Sequence, residues 1–111
     1  MKAEDKIQQE IFVWFNNTYC LPSCKPRESI LHVPNEGATN GKLTSIGLYS
    51  GASDLILSWK GKVLFCEIKA ANGKQSTNQA KFESHMKQSG FTYFIVRSKD
   101  EFKEVINSLL F

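Results

Sequence analysis

The stretch Gly51–Lys69, GASDLILSWKGKVLFCEIK, sets the reading of everything around it. Two apolar runs, 54–59 and 62–70, flank Trp59-Lys60-Gly61-Lys62, and such runs around a glycine-containing turn predict a β-hairpin. Both are rich in Leu, Ile, Val and Phe, which suits a central position in a sheet. Strand side chains alternate faces, so Glu67 and Lys69 project together while Ile68 enters the core. The hairpin can bring Asp54 to the same edge. Two carboxylates and an ammonium would then converge at one end of a small sheet. A hard cation such as Mg²⁺, which prefers oxygen ligands and keeps several waters, suits that arrangement. It is also a site that could cut a phosphodiester.

Outward from the hairpin, the N-terminal segment reads as an amphipathic helix from about Glu4 to Thr18, with Ile7, Ile11, Trp14 and Phe15 at helical spacing. Glu10 lies at the edge of that apolar face. Pro22 and Pro26 make 20–27 a loop, and Ile30–Val33 is a short strand ended by Pro34. The segment 35–50, rich in Gly, Asn, Ser and Thr, is a long loop with room for one helical turn near 43–48. Asn72-Gly73 marks a turn. Ser76 and Gln79 form a capping box, opening a helix to about Ser89 with Ala80, Phe82 and Met86 toward the core, and Gly90 stops it. A strand over 91–97 follows, and Ser98–Glu101 repeats the capping box. Phe102, Val105, Ile106, Leu109 and Leu110 then stripe a last helix. The helix between the third and fourth strands makes a parallel crossover.

A chain of 111 residues is expected to form a single domain, 1–111. No apolar run approaches the roughly 20 residues that span a bilayer, so no membrane partner is expected. The polar start, MKAEDKIQQE, is unlike a secretory signal, and a cytoplasmic location is the default (host cytoplasm if viral). Three cysteines fit a reducing compartment better than a disulfide framework. Cys20 and Cys24 resemble half a zinc site, but no second ligand pair follows at suitable spacing. Cys66 is a small core residue. The net charge of +3 is modest, yet Lys60, Lys62, Lys69, Lys74, Lys81 and Lys87 surround the acidic pair. That is either a phosphate-attracting field or an ordinary solvated face.

On these residues the chain resembles the PD-(D/E)xK nuclease superfamily, and within it the VRR-NUC (virus-type replication-repair nuclease) family in its stand-alone, phage-like form. The matching residues are Pro34-Asn35-Glu36-Gly37, Gly51-Ala52-Ser53-Asp54, Phe65-Cys66-Glu67-Ile68-Lys69, the pattern Gly73-x-x-Ser76-x-x-Gln79, Gly90 and the strand over 91–97. Ser53 stands where the superfamily's name records proline, a position that mainly shapes the strand entry. The resemblance implies an α/β, restriction-endonuclease-like αβββαβ core, a mixed central sheet flanked by helices, plus a C-terminal helix. It implies a Mg²⁺- or Mn²⁺-dependent endonuclease acting on DNA, branched or junction DNA for stand-alone members, in phage-type replication, recombination or repair. A homodimer would place two active sites on two strands, and the apolar end of the last helix is a candidate contact.

By the same resemblance Asp54 and Glu67 are metal ligands, joined by the backbone carbonyl of Ile68, and Lys69 orients the attacking water or stabilises developing charge. Independently, two neighbouring carboxylates are costly unless a cation neutralises them. Gln79 either contacts the metal-bound water or DNA, or serves only the capping box. Glu10 matches an acid of the family's first helix that completes or neighbours the metal site; the alternative is a rim carboxylate. Asn35, Lys42, Lys74, Ser76 and Lys81 are the candidates for DNA contacts, with Arg27 and Arg97 as further phosphate candidates; Asn35 and Glu36 could line the site or the substrate groove, and His32 is a strand residue or base. Two other classes stay open. One is a non-catalytic DNA-binding module of the same fold, and the other is a sequence-specific restriction-type nuclease.

Overall fold

The structure, a computed structural model, describes residues 2–21, 29–34 and 51–110. Cys24, Arg27, Asn35, Glu36, Lys42 and the helical turn expected near 43–48 lie outside the described residues, as does Phe111. The elements are α1 (Ala3–Phe15), β1 (Ile30–His32), β2 (Leu55–Trp59), β3 (Lys62–Ile68), α2 (Thr77–Gln88), β4 (Thr92–Val96) and α3 (Lys99–Leu110). The described strands form one sheet in the order β1-β2-β3-β4, antiparallel except for the parallel β3/β4 pair. This is the expected α/β architecture with a mixed sheet and a closing helix.

Strand periodicity divides the sheet into two faces. Ile30, Leu55, Leu57, Leu64, Cys66, Ile68 and Val96 point to one, where they pack with Ile11 and Phe15 of α1 and Phe102 and Ile106 of α3. Each fully buried Leu, Ile or Phe contributes about 1.5–3 kcal/mol relative to exposure. The other face carries Phe65, Glu67 and Tyr93. There Phe82 of α2 packs at 5.9 Å from Phe65 and 6.2 Å from Tyr93, ring centre to ring centre. No residue of α2 is fully buried, and Ala80 is exposed rather than core-facing. The helix rests on the sheet through Phe82, and Met86 is half-buried.

The first helix departs from expectation at its end. The α-helix stops at Phe15 and continues as a π-helical turn, Asn16–Cys20, closed by the Leu21 amide donating to the Asn16 carbonyl. The wider turn shifts the later side chains around the axis. Tyr19 then meets Phe15, Trp14 and Trp59 at 5.2, 5.4 and 5.6 Å, and Cys20 is buried. At α3 only half of the expected capping box forms. Ser98 Oγ accepts the Glu101 amide, while the Glu101 carboxylate takes the Arg97 amide instead of that of Ser98.

The β2–β3 hairpin turns through Lys60 at φ 49° and Gly61 at φ 79°, the left-handed pair of a tight two-residue loop whose twist matches its strands. A Cβ on Gly61 would meet nothing within 4 Å. Gly61→Ala therefore isolates the backbone cost. Urea unfolding should show a loss of about 1–2 kcal/mol with an unchanged m-value.

Candidate functional site

Extending the β2/β3 register, in which Leu55 faces Cys66, by one residue puts Asp54 opposite Glu67 on the α2 side of the sheet. The backbone then ties them together. The Ile68 amide donates to Asp54 Oδ2 at 2.7 Å, fixing this carboxylate beside the end of β3. Its Oδ1 takes no hydrogen bond among the described residues. On the other side the Val33 amide donates to the Asp54 carbonyl at 2.8 Å. His32 Nδ1 lies 3.1 Å from that carbonyl, a contact that needs the proton on Nδ1. Ser53 is buried, and its hydroxyl donates to the Leu55 carbonyl, so it shapes the strand entry without proline.

Glu67 is 0% exposed. The Tyr93 hydroxyl donates to Oε1, while Oε2 is buried with no hydrogen-bond partner among the described residues. Burial pushes the Glu67 carboxyl above the usual range, against the Tyr93 hydrogen bond and the Lys69 charge, which pull it down. Asp54 is raised as well, first by burial and further by Glu4, with the Ile68 amide, His32 and Lys69 opposing. Burial and the neighbouring carboxylate also hold the Tyr93 hydroxyl protonated. Lys69 is 8% exposed and forms no ion pair with either acid among the described residues. Its charge is felt by both nonetheless.

Among the described residues no group of three or more His, Cys, Asp or Glu side chains could hold a metal ion. The donors present are two carboxylates and main-chain oxygen. They fit a divalent cation on one observation: a wholly buried carboxylate oxygen has no hydrogen-bond partner among the described residues. An unpaired buried anion is expensive, and a cation is the counter-charge that such an oxygen takes without a proton.

Other expected residues are placed elsewhere. Glu10 is exposed beside Lys6, Gln9, Val13, Trp14 and Lys99, in a surface depression on α1. The acid of α1 that reaches the site is Glu4, whose Oε2 accepts the Ala70 amide at 3.3 Å. Six positions separate the two acids, so they lie about 120° apart around the helix and cannot share one site. Gln79 works in the capping box: Oε1 accepts the Ser76 amide at 2.7 Å, and Ser76 Oγ accepts the Gln79 amide at 3.1 Å. Neither residue bonds to Asp54, Glu67 or Lys69. Gln75 is the glutamine near Glu67: its Nε2 donates to the Tyr93 hydroxyl and to Glu83 Oε1, and its side-chain hydrogen bonding pulls the Glu67 carboxyl down. Lys74 and Lys81 are exposed on either side of this cap. Arg97 donates through Nη1 to the carbonyls of Ala70 at 2.7 Å and Gly73 at 2.8 Å, which pins the loop after Lys69. Glu4, Gln75 and Tyr93 escaped the sequence reading. Only Tyr93 left a signal, a hydroxyl in an apolar strand that must find a partner when buried.

Gly51 locks this end of the sheet to α2. A Cβ there would sit 2.2 Å from the Asn78 carbonyl oxygen. No family model matches the sequence, and no curated protein matches it. Among solved structures, a VRR_NUC domain protein superposes with a TM-score of 0.80 over 97% of this chain and 88% of its own, at 21% identity. The chain thus has the fold of a VRR_NUC domain, as the resemblance implied.

Two outcomes follow from this geometry. Gly51→Ala forces the 51–54 segment off α2 and should cost about 1–3 kcal/mol in urea unfolding. For Glu67, the folded carboxyl titrates above its ordinary 4.5, so above that pH the folded state holds more protons than the unfolded one. Stability from this group is complete below 4.5 and is lost as pH rises through the folded value. Metal-free wild type should therefore weaken relative to Glu67→Gln as pH rises above 4.5 and through the folded carboxyl's raised value. Chemical denaturation in EDTA checks it, and a pH-independent difference would refute the shift.

Proposed function

We propose that this protein is a Mg²⁺- or Mn²⁺-dependent DNA endonuclease acting on branched or junction DNA as a homodimer. The observation that carries the metal reading is the buried, unpartnered Glu67 Oε2 beside Asp54. The VRR_NUC fold supports the nuclease class. The branched substrate and the dimer rest on the resemblance to stand-alone family members.

In this reading Asp54 Oδ1, Glu67 Oε2 and the Ile68 carbonyl hold the cation. A bound divalent ion supplies a water of lowered pKa and charge neutralisation at the scissile phosphate. Lys69 brings an ammonium to the same end of β3, where it stabilises charge developing on the phosphate and orients the attacking water. Burial around Glu67 and Lys69 strengthens these interactions by excluding solvent. Glu4, rather than Glu10, is the helix acid that adds negative charge next to Asp54. Lys74 and Lys81, with the Ser76 end of α2, offer exposed groups for backbone phosphates, and Asn35 and Lys42 are kept as candidates from the sequence.

The test incubates purified protein with four-way junction, flap and linear duplex DNA, with Mg²⁺, Mn²⁺ or EDTA. Cleavage should require the cation and favour the branched substrates. Loss of several kcal/mol of charge stabilisation predicts a fall on the order of 10²–10³-fold for Glu67→Ala. Cutting that persists in EDTA or in the variant would remove the metal mechanism. Equal cutting of linear duplex would remove the preference for branches, and a monomer by sedimentation would remove the dimer.

A further inference from the structure

Glu67 is held from behind by residues that take no part in the proposed chemistry. Tyr93 lies on the Glu67 face of the parallel β3/β4 pair, opposite Phe65, and is 6% exposed. Its hydroxyl donates to Glu67 Oε1 and accepts from Gln75 Nε2 at 3.5 Å. The same Gln75 nitrogen donates to Glu83 Oε1 at 3.0 Å. Glu83 Oε2 pairs with Lys87 Nζ at 2.8 Å, one turn along α2. A line of polar contacts therefore runs from the outer face of α2 to the buried carboxylate, with the Phe82 ring against that of Tyr93.

The terminal torsion of a glutamate is broad, so an unsupported carboxylate would sample many orientations. Tyr93 has a single proton to give, and it gives it to Oε1. One oxygen is thus held, and the other has no hydrogen-bond partner among the described residues. We infer that Tyr93, anchored by Gln75, is a positioning residue that fixes the Glu67 carboxylate so that Oε2 alone is presented to the divalent cation. This rests on the metal reading above and names what makes that ligand rigid. Partners behind a metal ligand commonly carry about 10- to 100-fold of metal affinity.

Calorimetric titration with Mg²⁺ alone, no DNA present, tests it. Wild type should bind, Glu67→Gln should not, and Tyr93→Phe should bind about 10-fold more weakly with a native circular dichroism spectrum. Gln75→Leu should be weakened to a lesser degree. Mg²⁺ should also perturb the near-ultraviolet tyrosine band of wild type and of Tyr19→Phe, and leave that of Tyr93→Phe unmoved. Wild-type affinity in folded Tyr93→Phe, or a band shift that survives this substitution, overturns the inference while the metal reading stands. Should Tyr93→Phe not fold, wild-type affinity in Gln75→Leu overturns it. Folded wild type that takes up no Mg²⁺ overturns both.

Discussion

A carboxylate buried on the central strand is the constraint around which this end of the molecule is arranged. Glu67 sits between Cys66 and Ile68, both in the core, with no solvent contact of its own. An anion there is tolerated only with compensating groups. Tyr93 gives one oxygen a hydrogen bond, and the Lys69 charge offsets part of the cost. The remaining oxygen has no hydrogen-bond partner among the described residues. Stability is thus given up locally at a position where a cation would restore it, a common compromise at functional sites.

The surrounding fold exists in a form that makes this placement reproducible. The antiparallel hairpin puts Asp54 across from Glu67, and the main-chain amide of Ile68 holds it there. The parallel neighbour, β4, supplies Tyr93 from a residue far along the chain. The Arg97 guanidinium then gathers the carbonyls of the turn that follows Lys69. On the opposite face the aromatic contacts of Phe15, Tyr19, Trp59 and Phe102 hold α1 and α3 to the sheet, which keeps Glu4 within reach of Ala70.

Much of this was legible from local pattern. The two apolar runs around Lys60-Gly61, the apolar stripe of α3 and the Ser76/Gln79 cap each depend on neighbours within a few residues. All three form as expected. Glu10 shows where local pattern fails. Its place at the edge of an apolar stripe says that it borders the core, but not which part of the sheet the helix crosses. The helix instead delivers Glu4 to the site, and Glu10 faces outward beside Lys99. Gln79 takes the capping role, one of the two that its sequence position allowed. A capping box uses the glutamine oxygen locally, and that bond leaves the neighbouring Gln75 to reach the strand.

By itself the sequence determined the alternation that puts Glu67 and Lys69 on one face, the hairpin that returns Asp54 to them, and the chemistry those three groups can share. These follow from strand geometry and a two-residue turn, both properties of contiguous chain. Only the tertiary structure decided which oxygen of Glu67 is held, that Tyr93 and Gln75 stand beside it, and that Glu4 lies near Asp54. Those facts depend on the register of a parallel pair and on where two helices cross the sheet. Both are set by packing between segments far apart in the chain, and no local periodicity records them.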